Sequence, residues 1–161
     1  MREDISFYMR DGRFQYRAGA IIRRDNHMLL VRNRGSSYYY TVGGRVKYGE
    51  TAQETVLREA YEETGVSMKI ERLVFIHENF FVEETSEEPF HEICLFFLMR
   101  ENELPERTQF IRTSFQEEYT DAALCWLPMD QLDQFAIHPE FLATALPRMD
   151  EGIKHFVTGK K

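Results

Sequence analysis

The segment that most constrains this chain is residues 52–64, which place Glu59, Glu62 and Glu63 at i, i+3 and i+4 of a helix. Side chains at those spacings meet on one face. Thr51 followed three positions later by Glu54 reads as a capping box, and Gly65 supplies a left-handed residue to end the helix. At about 100° per residue, Ala52, Val56 and Ala60 form one narrow apolar stripe. Glu63 falls roughly 20° from Val56, inside the stripe that should be buried. Clustered carboxylates repel one another by a few tenths of a kcal/mol per pair when exposed. Burial raises that cost by disfavouring the charged form. A divalent cation relieves both penalties. Magnesium suits the position: it takes hard oxygen ligands from a few carboxylates, keeps waters and completes its shell with phosphate oxygens. Mn²⁺ can use the same ligands.

Charge and composition limit the partners. With 161 residues, 43% hydrophobic and 29% charged, the chain suits one soluble domain over residues 1–161, with 1–12 and 155–161 peripheral. A net charge of −7 repels a nucleic-acid backbone and argues against duplex binding. A small anionic substrate requires a metal ion or arginines to reverse the field locally. Cys94 and Cys125 lack metal-ligand or redox spacing and read as buried free thiols. The opening MREDISFYMRDGRF has no apolar stretch resembling a signal peptide, and no run approaches membrane-spanning length. These features predict a cytoplasmic protein with no membrane partner.

Along the chain, residues 15–23 and 28–32 read as strands joined by a turn at Asp25-Asn26-His27. Residues 38–42 (YYYTV) read as a short strand stopped by Gly43-Gly44. Strands are predicted at about 68–82 and 90–100, a polar loop from Glu101 to Thr120, and a last strand at 122–128. Helical pieces are predicted near 129–135 and 139–146, with a frayed GKK tail. Several strands, one strong central helix and C-terminal helices indicate an α/β or α+β sandwich.

The glutamates also belong to a longer pattern. Gly44, Glu50, Arg58, Glu59, Glu62, Glu63, Gly65 and Val66 stand in the order GX5EX7REUXEEXGU, with Ala60 at the first apolar position. Seven fixed residues at these spacings arise by chance on the order of once in a million chains. This is a Nudix box, and the sequence resembles the Nudix hydrolase family. The resemblance implies an α/β/α sandwich with a mixed sheet, and Mg²⁺-dependent hydrolysis of a nucleoside diphosphate linked to another moiety, such as a nucleotide sugar or nucleoside triphosphate. A non-catalytic Nudix-like nucleotide-sensing or binding module is the alternative. Homodimers are common in the family.

By position, the resemblance makes Glu59, Glu62 and Glu63 metal-binding carboxylates, with Glu50 assisting the cluster and Gly44 offering backbone near the metal. Arg58 would hold the acidic residues in place, and the double glycine would let the loop turn sharply. Val42 stands where the family often has proline, which implies a slightly looser loop. Candidates for the general base are Glu62 within the box and Glu118, beside Glu117, in the loop before the 122–128 strand. For substrate, Arg45, Arg32 and Arg34 are placed to meet phosphates, and Tyr40 or Phe80 to stack on a base; each also reads as a core or surface residue. Glu92 lies in the most apolar run and needs a partner or an outward orientation. The downstream proline of ADP-ribose hydrolases, the downstream tyrosine of dinucleoside polyphosphate hydrolases and the coenzyme A signature are missing at the expected spacings, so the leaving group stays open.

Overall fold

A computed structural model describes residues 2–33, 35–84, 86–100, 110–113 and 120–161. The elements run β1 (Ser6–Met9), β2 (Gly12–Arg24), β3 (His27–Asn33), β4 (Tyr39–Tyr40), β5 (Val42–Arg45), α1 (Ala52–Thr64), β6 (Ile70–Val82), β7 (Pro89–Met99), β8 (Phe110–Thr113) and β9 (Thr120–Pro128). A 3₁₀ helix (Met129–Gln134), β10 (Ile137–His138), α2 (Phe141–Ala145), a second 3₁₀ helix (Leu146–Glu151) and β11 (Lys154–Thr158) follow.

The long strand β2 organises a mixed sheet. One edge pairs in parallel with β7, from Arg13 opposite Phe90 to Ile21 opposite Leu98. The other edge takes three partners in succession: β1, then β5, then β3. That forked edge matters later, because it brings the start of the α1 segment against the middle of β2. β6 pairs antiparallel with β7 and parallel with β11, while β9 joins β3 to β8.

Alternation along the strands gives the sheet two apolar faces. Ala18, Ala20, Ile22, Phe97 and Met99 pack with Val56 and Ala60 of α1. Ile21, Phe75, Phe96 and Leu98 pack with Leu132, Leu142 and Leu146 from the C-terminal helical segments. The fold is therefore α+β, with a curled mixed sheet between helical layers. Burying each large apolar side chain is worth roughly 1.5–3 kcal/mol, so both layers are held by the hydrophobic effect.

Helix α1 spans residues 52–64 as its spacing predicts. Thr51 Oγ1 accepts the Glu54 N–H at 3.1 Å, and Glu54 Oε2 accepts the Thr51 N–H at 2.7 Å. Gly65, at φ 73°, donates its N–H to Tyr61 O.

Three sequence expectations are corrected. Gly43-Gly44 does not stop a strand: β5 runs through both, and only glycine fits there, since a β-carbon on Gly43 would lie 2.3 Å from Ala18 O. The stretch expected as a loop from Glu101 to Thr120 contains β8, which pairs antiparallel with β9. The strand at 122–128 is not the last one. β11 adds to β6, and Phe156 packs between Phe75 and Phe141 with ring centroids 5.6 and 4.5 Å away. Cys94 is buried and Cys125 only half-buried; both are free thiols. No helix among the described residues is long and apolar enough to cross a membrane.

Candidate active site

The register of β2 with β5 sets the site. Ala18 lies opposite Gly44 and Gly19 opposite Gly43. With no side chains on β5 at these two positions, the carboxylates of α1 come directly against the strand. A β-carbon on Gly44 would lie 2.3 Å from Glu59 Oε1. Glu63 is 7% exposed, and its Oε1 accepts the Gly43 N–H at 2.9 Å. Its predicted place in the apolar stripe is therefore its place in the structure.

Burial pushes the Glu63 carboxyl up to about 8, against the Gly43 N–H, which favours the charged form; Glu59 and Glu62 add to the rise. Glu59 is also raised, by burial, with Arg58 opposing. Glu62 is the exposed member of the trio, with a side chain 54% accessible.

Arg58 ties the acids together. Its Nε and Nη2 meet Glu50 Oε1 and Oε2 at 3.0 and 2.9 Å, a bidentate pair. Its Nη1 donates to Glu59 Oε1 at 2.5 Å and reaches Glu62 Oε2 at 3.5 Å, and Nη2 also meets Arg45 O at 3.3 Å. Hydrogen bonding from Arg58 foremost holds Glu50 near 2, against burial and helped by Thr55 Oγ1 at 2.9 Å.

As these side chains stand, Glu59 is turned onto Arg58 and Glu63 onto Gly43, and no group of three or more His, Cys, Asp or Glu among the described residues converges to hold a metal ion. The donor set nonetheless suits a hard cation. It is all oxygen, Glu63 is buried and Glu59 half-buried, both with raised carboxyls, and the missing β-carbon at Gly44 leaves room that Glu59 fills.

The remaining sequence candidates divide by place. Arg45 sits on β5 beside Gly44; its Nε donates to Gln15 Oε1 at 3.1 Å and its Nη1 lies 3.6 Å from Asp4. The Tyr40 hydroxyl donates to Asn33 Oδ1 at 2.6 Å, and burial, then the charge on Glu63, push it up to about 12. Arg32 lies on β3, with Nε on Ser36 O at 2.9 Å and its guanidinium over the Tyr39 ring. Phe80 stacks on His91 with centroids 4.3 Å apart, in a hollow of about 320 Å³ shared with Met9, Arg13, Phe14 and Phe90. No box residue lines that hollow. Arg34, Glu117 and Glu118 lie outside the described residues.

Sequence reasoning missed Gln15 and Arg17 and left Glu92 undecided. Glu92 is buried; it accepts from Gln15 Nε2 and lies 3.8 Å from Arg17 Nη1. Burial alone would lower Arg17, but Glu92, then Cys94, Glu63 and Glu59, outweigh it and the net shift is upward. The available signal was spacing: Gln15 and Arg17 stand at i and i+2 of a strand, on one face.

A family profile described as NUDIX domain matches residues 13–149. The chain is 31% identical over 62 residues to a MutT-like protein of Streptomyces ambofaciens, covering 38% of this chain and 40% of that one. It is 37% identical over 60 residues to an ADP-ribose pyrophosphatase of Methanocaldococcus jannaschii, covering 35% and 36%. The matched stretches thus span well under two thirds of these relatives' lengths. In fold, the chain is similar to a MutT protein from Bacillus halodurans, with TM-score 0.64, 19% identity, and coverage of 89% of this chain and 91% of that one.

Proposed function

The chain belongs to the NUDIX hydrolase family, and from that premise we propose that it hydrolyses a phosphoanhydride bond in a nucleoside diphosphate linked to another moiety, with Mg²⁺ as cofactor. The observation that carries this reading is the pairing of Gly44 with Glu59 and Gly43 with Glu63, two carboxylates pressed against a glycine strand. Holding two carboxyls this close together, one of them buried, is costly unless a proton or a cation offsets it.

Glu59, Glu63 and Glu62 would hold the cation, with Glu50 and the Gly44 backbone at the edge of the cluster. Once bound, Mg²⁺ supplies charge stabilisation at phosphorus and lowers the pKa of an attacking water. The protein contributes the rest. Arg58 fixes Glu50 and Glu59 and links them to the Arg45 carbonyl, so the acids are positioned before substrate arrives. Glu62, the exposed carboxylate, would accept a proton from water, and Glu118 is the second candidate for that task. Arg45, Arg32, Tyr40 and Phe80 are the side chains we assign to substrate contact, Arg45 and Arg32 to phosphate and the two rings to stacking.

The test is direct. Nucleotide sugars, nucleoside triphosphates and dinucleotides are incubated with protein and Mg²⁺, and products are resolved by chromatography. Metal-dependent cleavage that collapses in Glu63→Gln is expected. Retained cleavage in that variant overturns the assignment, and intact ligand recovered in complex favours the nucleotide-sensing module instead.

A further inference from the structure

A belt of rings crosses four strands on the face of the sheet that carries α1. Phe7 on β1 is paired with Phe14 on β2, Phe14 with His91 on β7, and His91 with Phe80 on β6. Directly paired residues share a face. The rings follow one another in that order, with centroids 5.3, 5.4 and 4.3 Å apart. By strand alternation Met9, Val82 and, on β11, Val157 extend the belt along the same face.

The belt lies beyond both cores. On β2 the core under α1 ends at Tyr16, and the C-terminal helical segments pack on the opposite face. Phe7, Met9, Val82 and Val157 are left 50–64% exposed. A fully exposed large ring offers roughly 150–250 Å², so these side chains with half-buried Phe14, Phe80 and His91 present on the order of 500 Å². A contiguous apolar patch of that size marks an interaction surface. About 500 Å² per partner is also what the smallest specific interfaces bury.

Charge selects a second copy as the occupant. The chain carries a net charge of −7, so two copies repel wherever acids dominate. On the belt Lys160 lies over the Phe80 ring and Glu78 is held 2.8 Å from His155, which leaves this face near neutral. Two turns border it at one end of the sheet. The β1–β2 turn and the start of β2 carry Arg10 and Arg13 around Asp11, and the β6–β7 turn carries Glu83, Glu84, Glu87 and Glu88. A two-fold axis running along the strands between two such faces inverts their lateral order. The basic turn of each copy then meets the acidic turn of the other.

We infer that this belt is the face through which two copies of the chain associate, sheet on sheet, as a weak isologous dimer. The association is independent of the hydrolase reading. Phe80 belongs to the belt as well as to the substrate contacts assigned above, and a mass measurement reads only the first of these roles.

Analytical ultracentrifugation tests it. Weight-average mass should rise from 19.2 kDa toward twice that value between about 1 and 200 µM protein, the range expected of a small interface. Phe7→Glu and Val82→Lys each put a charge into the apolar contact, of the sign that the facing turn repels, and should weaken association by about tenfold or more. Tyr38→Glu, at an exposed ring near the opposite edge of the sheet, should leave it unchanged. Thermal melts establish that each variant is folded, and one folded belt variant suffices. Oxidation of Met9 by peroxide, read by mass spectrometry, needs no substitution and should slow at the higher protein concentration. A chain that stays monomeric at every concentration overturns the proposal, as does association that no folded belt variant weakens or that leaves Met9 equally reactive.

Discussion

Gly44 and Glu59 compete for the same space: a β-carbon at residue 44 would lie 2.3 Å from Glu59 Oε1 and 2.4 Å from its Cδ. The contact is to the charged end of a side chain also held by Arg58, so Glu59 cannot yield without breaking that bond. Gly44→Ala should therefore leave the fold intact but displace the carboxylate. Displacing a group that positions a metal ligand typically costs 10–100-fold. Mg²⁺-dependent hydrolysis measured for Gly44→Ala should fall by about that factor; activity within twofold of the parent would mean Glu59 need not stand where it does.

Arg58 and Glu50 form the best-defined ion pair of the site, with side chains 21% and 10% exposed. Removing one partner of a largely buried pair strands the other. Arg58→Ala should cost about 3 kcal/mol in urea unfolding at pH 7, and Arg58→Lys should recover less than half, because one ammonium cannot span both oxygens. The sign with pH follows from Glu50, whose carboxyl is lowered to about 2. Its contribution is present above the ordinary carboxylate range and is lost as pH falls through 2. The gap between parent and variant should narrow at pH 3; a constant gap would show that Glu50 is not the stranded partner.

Glu63 titrates in the opposite sense. Its carboxyl is raised to about 8, so between the ordinary carboxylate range and pH 8 the folded protein holds more protons than the unfolded chain. Metal-free stability should then fall as pH rises across that window, by an amount of the order of a few kcal/mol. Glu63→Gln, which mimics the protonated form, should flatten the slope. Cations compete with protons for the same oxygens, so Mg²⁺ should raise the melting temperature of the parent more at pH 8.5 than at pH 6.5 and do little for the variant. An equal Mg²⁺ effect at both pH values, or in Glu63→Gln, contradicts a cation on Glu63.

What was legible in the sequence was local. The capping box, Gly65 and the glutamate spacing all act within one helix, so α1 emerges with the correct ends and Glu63 on its buried side. The double glycine misled because glycine usually weakens strands, whereas here its value lies in the backbone of Ala18 and the carboxylate of Glu59, both distant in sequence. Arg17 and Glu92 were opaque for the same reason: β2–β7 register, invisible in one sequence, brings them together. β11 is five residues long and pairs in parallel with a strand some eighty positions earlier, so no nearby turn announces it.

β11 also supplies the last test, through His77. This side chain is fully buried on β6, with Nε2 2.8 Å from Thr158 Oγ1, and Thr158 in turn donates to Asn79 Oδ1 at 2.8 Å. Its Nδ1 has no hydrogen-bond partner among the described residues, and the ring centroid lies 4.4 Å from that of Phe141. Burial, then the charge on His155, lower its pKa to about 4. A histidine lowered in the folded state binds its proton preferentially when unfolded, so stability should rise with pH from about 4 to its ordinary value near 6.5 and be lost on descending through that window. The full effect is of the order of 3 kcal/mol. Protonation would place an unpaired charge between β6 and β11, so β11 should be the first strand to open on acidification. Hydrogen exchange at residues 154–158, followed at pH 7 and pH 5, should show that opening in the parent. In His77→Gln, which keeps a donor near Thr158 but cannot take the charge, exchange should depend far less on pH. Acid-induced opening that persists unchanged in His77→Gln would assign the transition to another group.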